Sequence, residues 1–230
     1  MNRFLSKFAP LPVVVLLLVA GCSTLPKGPA PSIGNAEKWE SAITAFEKSD
    51  HTNAPHPGAI LFIGSSSIRM WTNVAAAFPE HTVINRGFGG SQIADVNLFV
   101  DRIVAPYRPR QIVFYCGGND LNAKKPPGQV AADFREFVRL ARARLPWVRI
   151  SYIAIAPNPK RWDQIEQVRA ANAMIARQCR RDGNMDYIDI HPAMLGPDGT
   201  PKPDIFLADE LHMNARGYAL WREVVRPYLR

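Results

Sequence analysis

Cysteine is scarce in this chain, with three in 230 residues: Cys22, Cys116 and Cys179. None forms a C-x-x-C pair and no pair of histidines lies close to them, so a zinc site has no ligand set to draw on. Cys116 ends an apolar run and Cys179 lies on the apolar side of a helical pattern, which predicts buried free thiols; in an oxidising compartment a disulfide between them is the alternative. A membrane-spanning helix needs roughly 20 apolar residues, and the uncharged run 11–20 falls short of that. There is no P-loop, and Gly87-x-Gly89 is followed by Gln92 where a dinucleotide fingerprint requires a third glycine. Internal repeats are absent. Acidic residues are outnumbered, 20 against 28 basic, for a formal net charge of +8. Much of the excess is arginine at helical spacing, such as Arg135, Arg139 and Arg142 opposite an apolar stripe, which reads as a solvated face. No motif for nucleic acid accompanies the charge.

The first 22 residues carry their own signal. Arg3 and Lys7 precede the apolar run, and the small pair Ala20-Gly21 precedes Cys22, the layout of an export signal over 1–21. Val19-Ala20-Gly21-Cys22 resembles the bacterial lipobox, which implies diacylation of Cys22 and a lipid anchor in the membrane. Residues 23–35 are rich in Pro, Gly and Ser and suit a flexible tether, so 22–35 is expected to join the anchor to a domain spanning 36–230. Ser23 behind the cysteine implies, again by resemblance, an outer-membrane lipoprotein facing the periplasm. Loss of 1–21 removes Arg3 and Lys7 and no acid, leaving 26 basic against 20 acidic side chains, a net +6.

In the body of the chain, Trp39, Ile43 and Phe46 recur at helical spacing and predict a leading helix over 36–50. Apolar runs rich in β-branched residues at 59–63, 82–84, 111–116, 148–155 and 186–190 then alternate with longer helical patterns. Such alternation predicts βαβ units in an α/β fold: a three-layer α/β/α sandwich on a mainly parallel five-stranded sheet. Phe134, Phe137, Val138, Ala141 and Leu145 outline one helix face, stopped by Pro146. Ile93, Val96, Val100 and Ile103 outline another, and a last helix is expected over 214–228 with Leu220, Val224 and Val225 turned inward. Ligands of open α/β sheets bind outside the carboxyl ends of the strands, so segments that directly follow strands are the candidates for chemistry.

Four segments stand there. In FIGSSSIRMW (62–71) a strand ends at Gly64 and a helix begins near Ser67, which sets the Ser66 hydroxyl at the sheet edge and its amide near a helix N-terminus. NRGFGGSQ (85–92) is a glycine turn in which the Gly90 backbone can approach a ligand closely. CGGNDL (116–121) places Asn119 directly after a strand. DELHMNARGY (209–218) spaces Asp209 and His212 so that the carboxylate can reach the imidazole Nδ1–H and leave Nε2 to take a proton. Each segment also has an ordinary reading as a helix cap or turn. Asp189 and His191 form a rival pair, but Pro192 follows, and His191 is read as structural.

Taken in order, the four segments resemble the GDSL/SGNH hydrolase family over roughly residues 59–225. Gly64-Ser65-Ser66 stands where the family has Gly-Asp-Ser, so Ser65 departs from the usual Asp. The resemblance implies a flavodoxin-like fold, Ser66 as nucleophile, His212 as general base and Asp209 as its orienting partner. It also implies an oxyanion hole from the Ser66 and Gly90 N–H groups and the Asn119 side-chain amide, with no metal and no organic cofactor. An α/β-hydrolase elbow does not fit, because Ile68 stands where G-x-S-x-G has its last glycine. The implied reaction is hydrolysis of carboxylic esters through an acyl-enzyme; neither the Lys124–Gly128 loop nor the stretch 192–208 reads as a long apolar groove, which favours short acyl groups on glycan or small-molecule substrates. Lysophospholipase or thioesterase action, acyl transfer from the same site, and noncatalytic glycan binding stay open as alternatives, as does the oligomeric state. The Lys124–Gly128 loop and the proline-studded stretch 192–208 are expected to shape the pocket.

Overall fold

The computed structural model describes residues 28–230. The expected signal segment 1–21 and Cys22 lie outside the described residues. In chain order the elements are α1 (Ala36–Thr52), β1 (Ile60–Gly64), α2 (Ser66–Arg69), α3 (Val74–Ala77), β2 (Val83–Gly87), α4 (Ile93–Leu98), α5 (Val100–Ile103) and β3 (Gln111–Tyr115). There follow α6 (Gly118–Asn122), α7 (Pro127–Arg144), β4 (Arg149–Ile153), α8 (Ile165–Arg180), β5 (Met185–Ile188), α9 (His191–Met194) and α10 (Ala215–Val225).

The five strands form one sheet in the order β2-β1-β3-β4-β5, every pairing parallel. The central strands β1 and β3 are buried at all five positions, as their unbroken apolar sequences require of strands covered on both faces. Alternation along β1 sends Leu61 and Ile63 into one core, with Phe114, Phe134, Phe137 and Ile175 from β3, α7 and α8. Ile60 and Phe62 enter the other, with Trp71, Phe78, Trp221 and Val225. Helices therefore cover both faces, and the architecture is the expected three-layer sandwich.

Chain direction across the sheet reverses between β1 and β3, since β2 lies on one side of β1 and β3 to β5 on the other. The connections leaving these two strands diverge and open a crevice at their carboxyl ends, where α/β sheets bind ligands. Ser66 follows β1 and Asn119 follows β3.

Two expectations are corrected, and that for the last helix is refined. The helix outlined by Ile93, Val96, Val100 and Ile103 is two short helices, because Phe99 between them (φ −109°, ψ 10°) leaves the helical region; all four residues are buried. The last helix, expected over 214–228, runs to Val225 and continues as a 3₁₀ turn, Arg226–Tyr228; Gly217, Trp221 and Val225 are buried, and Leu220 and Val224 pack partly buried against the same core. The final part of the tether, 28–35, lies against the domain. The Ser32 N–H donates to Asp133 (2.6 Å), the Asn35 N–H to Asp95 (2.8 Å), and Gln129 Nε2 to the Ala30 carbonyl (2.7 Å).

Candidate active site

The turn after β1 is fixed by close backbone contacts. Gly64 has φ +144°, and a Cβ on it would lie 1.8 Å from the Tyr115 carbonyl oxygen, so no other residue fits. The Ser65 N–H donates to that same carbonyl (3.0 Å), and the Ser65 carbonyl accepts from Ile68 and Arg69 to open α2. Ser66 is thereby the first helical residue, with one of the amides that a helix start leaves unpaired. Two further contacts hold the turn: Asn85 Nδ2 donates to the Ile68 carbonyl (2.7 Å) and the Tyr218 hydroxyl to the Ser67 carbonyl (2.9 Å). Ser65 is buried and makes no side-chain cap.

Asp209 and His212 lie on a tight loop before α10. The Glu210 N–H donates to the Leu207 carbonyl and the Leu207 N–H to the His212 carbonyl, with Glu210 at φ +58°. Asn214 closes the loop by capping α10 through the Arg216 and Gly217 N–H groups while its Nδ2 donates to the Asp204 and Phe206 carbonyls. Asp209 Oδ1 accepts the Leu211 and His212 N–H groups, and Oδ2 accepts the His212 Nδ1–H at 2.6 Å. That bond sets the tautomer, so Nε2 is the acceptor for the Ser66 hydroxyl at 2.9 Å. The hydrogen bond from the imidazole, followed by that from the His212 amide, pulls the Asp209 carboxyl down to about 2. It remains a carboxylate in any solution near neutrality.

Gly90 (φ +85°) and Asn119 face the same cleft as Ser66 and His212, a space of about 450 Å³ that Arg69, Gly89, Arg161 and Leu211 also line. Among the described residues neither the Ser66 nor the Gly90 N–H has a backbone acceptor. Asn119 is oriented at both ends of its amide: Oδ1 accepts from Arg161 Nη1 (3.1 Å), and Nδ2 donates one hydrogen to the Ser91 carbonyl (3.0 Å), which leaves the other. A smaller cavity of about 30 Å³ adjoins Ser66, bounded by Tyr115, Ile155, Ala156, Met194, Phe206 and Met213 among others.

The structure thus brings Ser66, Gly90, Asn119, Asp209 and His212 together, and keeps Asp189 and His191 apart from them. His191 Nε2 lies 2.7 Å from the Ile155 carbonyl, and Asp189 receives the His191 backbone N–H rather than its ring. Of the two loops expected to shape the pocket, 192–208 contributes Met194 and Phe206. The Lys124–Gly128 loop does not line either space. Its Lys125 is drawn into a bridge between the buried carboxylates Asp120 and Asp133, each at 3.0 Å, because two acids with no water around them need a cation. Burial still pushes the Asp120 carboxyl up to about 6. Arg161, in the connection between β4 and α8, is a site residue that motif reading missed. Cys116 and Cys179 are buried free thiols, and among the described residues no cluster of His, Cys, Asp or Glu could hold a metal ion.

A 2-1-3-4-5 parallel sheet covered by helices on both faces is a fold with known relatives. A protein from Streptococcus pneumonia superposes with a TM-score of 0.75 at 20% identity, over 84% of this chain and 94% of that one. A GDSL-like lipase from Bacteroides thetaiotaomicron gives 0.69 at 14%, over 81% and 96%. A carbohydrate esterase family 3 protein from Talaromyces cellulolyticus gives 0.59 at 16%, over 74% and 95%. At these identities the superpositions speak for the fold. No curated relative matches in sequence. Residues 62–220, which run from the Ser66 turn through the Asp209–His212 loop into α10, match the GDSL-like lipase/acylhydrolase family, and the chain belongs to that family.

Proposed function

We propose that the chain is a serine esterase that hydrolyses carboxylic esters through an acyl-enzyme, with acetyl esters of glycans or small molecules as its substrates. The observation that carries this reading is the unbroken line from the Ser66 hydroxyl through His212 to Asp209, with contacts of 2.9 and 2.6 Å. Ser66 Oγ attacks the acyl carbon as its proton passes to His212 Nε2. The bond to the alcohol oxygen then breaks, and His212 returns the proton to that oxygen. A water molecule, deprotonated by the same nitrogen, attacks the acyl-enzyme, releases the carboxylic acid and restores the Ser66 hydroxyl. The Ser66 and Gly90 N–H groups and the remaining Asn119 amide hydrogen are the donors for the oxyanion.

The small cavity favours short acyl groups. At about 30 Å³ it has room for roughly one or two water-sized groups, which suits an acetyl methyl and not a lipid tail. The fold shared with a carbohydrate esterase supports a sugar as the alcohol. We further assign 1–21 to an export signal and Cys22 to acylation, which places the domain at the bacterial cell envelope.

A fluorophosphonate probe tests the chemistry. Labelling of the wild type should map to Ser66 and vanish in Ser66→Ala, and para-nitrophenyl acetate should be cleaved faster than the octanoate. A folded wild-type protein that neither labels nor releases acetate would make the chain a binding module. Transfer of the acetyl group to an added sugar in preference to water would make it an acyltransferase.

A further inference from the structure

Six arginines among the described residues are partly buried: Arg86, Arg102, Arg142, Arg149, Arg161 and Arg226. Five of them pair with carboxylates, Arg86 with Asp50, Arg102 with Glu40 and Glu47, Arg142 with Asp182, Arg149 with Asp186 and Arg226 with Glu80. Arg161 has no acidic partner among the described residues, and it is the one at the cleft beside Ser66. A guanidinium withdrawn from water without an anion is costly to keep, so its position calls for an explanation. Positioning Asn119 is part of one. Nη1 donates to the Gly118 carbonyl and to Asn119 Oδ1, each at 3.1 Å, whereas Nε and Nη2 donate to no protein group among the described residues.

A second guanidinium faces the same space. Arg69 ends α2, three residues after the nucleophile, and its side chain lies across Gly89, where a Cβ would come within 2.5 Å of Nε. It too has no ion pair among the described residues, and no Asp or Glu lines the cleft. The acid of the site, Asp209, is committed to the Nδ1 side of His212. Arg161 borders the small cavity as well, with Asn119, Leu211 and His212, whereas Arg69, Gly89 and Gly90 border only the wider cleft; with the acyl group in the small cavity, this cleft of about 450 Å³ is left for the alcohol half of the ester.

We propose that Arg161 and Arg69 form a subsite for an anionic group, phosphate or carboxylate, carried by the alcohol part of the substrate. Both ions offer the paired oxygens that a guanidinium binds through two N–H groups. Arg161 links the subsite to chemistry, because the guanidinium that meets the anion also holds the Asn119 amide at its other edge. This assignment rests on the esterase reading of Ser66.

Acetate release from three matched esters tests it: acetylglycerol, acetylglycerol phosphate and O-acetylglycerate. For wild-type enzyme at low salt, kcat/KM should favour at least one anionic ester over acetylglycerol by about tenfold or more, and salt should narrow the ratio. A phosphate preference points to phosphorylated alcohols and a carboxylate preference to sugar acids. Arg69→Gln and Arg161→Gln should each reduce the anionic-to-neutral ratio, chiefly through KM. A purely positioning Arg161 would instead lower kcat on all three esters alike. Because Arg161→Gln also disturbs Asn119, the exposed Arg69 provides the variant least able to fail by misfolding. A binding measurement separates this proposal from the esterase reading: Ser66→Ala protein should bind glycerol phosphate or glycerate by calorimetry, more weakly after Arg69→Gln. Equal kcat/KM on neutral and anionic esters with no such binding would overturn the subsite while leaving fluorophosphonate labelling of Ser66 intact. Absent labelling and absent hydrolysis of every ester would overturn the esterase instead.

Discussion

Asn119 enters the cleft with its amide already held, by Arg161 at the oxygen and by the Ser91 carbonyl at the nitrogen. A donor fixed before substrate arrives needs no reorganisation when charge develops, which is why such groups act on the transition state more than on binding. Asn119→Ala should therefore lower kcat by roughly 10²–10³, or about 2.7–4 kcal/mol of transition-state stabilisation, with a much smaller change in KM. Steady-state kinetics on an activated acetyl ester, with circular dichroism to confirm folding, checks this; an unchanged kcat would reduce the turn after β3 to a structural one. Asn119 was legible in the sequence because it directly follows an apolar strand in a motif of known order, and the three-residue spacing of Asp209 and His212 was legible for the same reason. Arg161 was not. One arginine in Pro159-Lys160-Arg161-Trp162 carries no pattern, and its value lies in the missing carboxylate partner, which only the packed chain reveals. The bridge from Lys125 to Asp120 and Asp133 was hidden likewise, since a lysine in a Lys-Lys-Pro-Pro-Gly loop reads as exposed.

At the scale of elements, hydrophobic periodicity located all five strands, with ends that shift by up to three residues because strand termination depends on pairing rather than on composition. Periodicity did not see the break between α4 and α5. Both helices keep the apolar phase of one continuous helix, and only the backbone of Phe99 interrupts it. Nor could composition place the segment 28–35, because Pro, Gly and Ser describe a chain with few side-chain anchors, while here the anchoring donors are main-chain amides. Ser32 and Asn35 reach carboxylates, Asp133 and Asp95, that are buried among α7 and α4. Asp95 in turn accepts the Gln92 N–H (2.8 Å), two residues beyond Gly90. Hydrogen bonds to charged acceptors contribute about 1.5–3 kcal/mol each. Allowing for water that replaces part of the loss, a chain beginning at residue 36 should melt roughly 5–15 °C below one beginning at residue 28. Equal melting temperatures would show that the strap adds nothing to the fold.

For the whole molecule, the docked strap would limit how far the domain stands from a membrane if Cys22 carries the proposed lipid. Had all of 22–35 been free, an anchor at Cys22 would allow an excursion of up to about 45 Å at about 3.3–3.6 Å per residue. With the chain hydrogen-bonded to the domain from Ala30 onward, eight residue steps separate it from Cys22 and the limit falls to about 28 Å. Gly28 lies beside Arg135, and Arg177 and Arg181 border the same surface cleft. Such basic side chains would be attracted to anionic head groups by about 1 kcal/mol each near a membrane surface. That attraction is screened by salt, whereas acyl chains buried in the bilayer are not. The two contributions can therefore be separated. Expressed in a Gram-negative host, the wild-type protein should sediment with membranes and stay there in about 0.5 M salt, and its mature N-terminus should be a diacylated Cys22 by mass spectrometry. Cys22→Ala should appear in the soluble fraction, or remain unprocessed. If Cys22→Ala still sediments and salt releases it, the basic face holds the protein. If the wild type is recovered soluble and unmodified, Cys22 carries no lipid and the leader is an ordinary export signal.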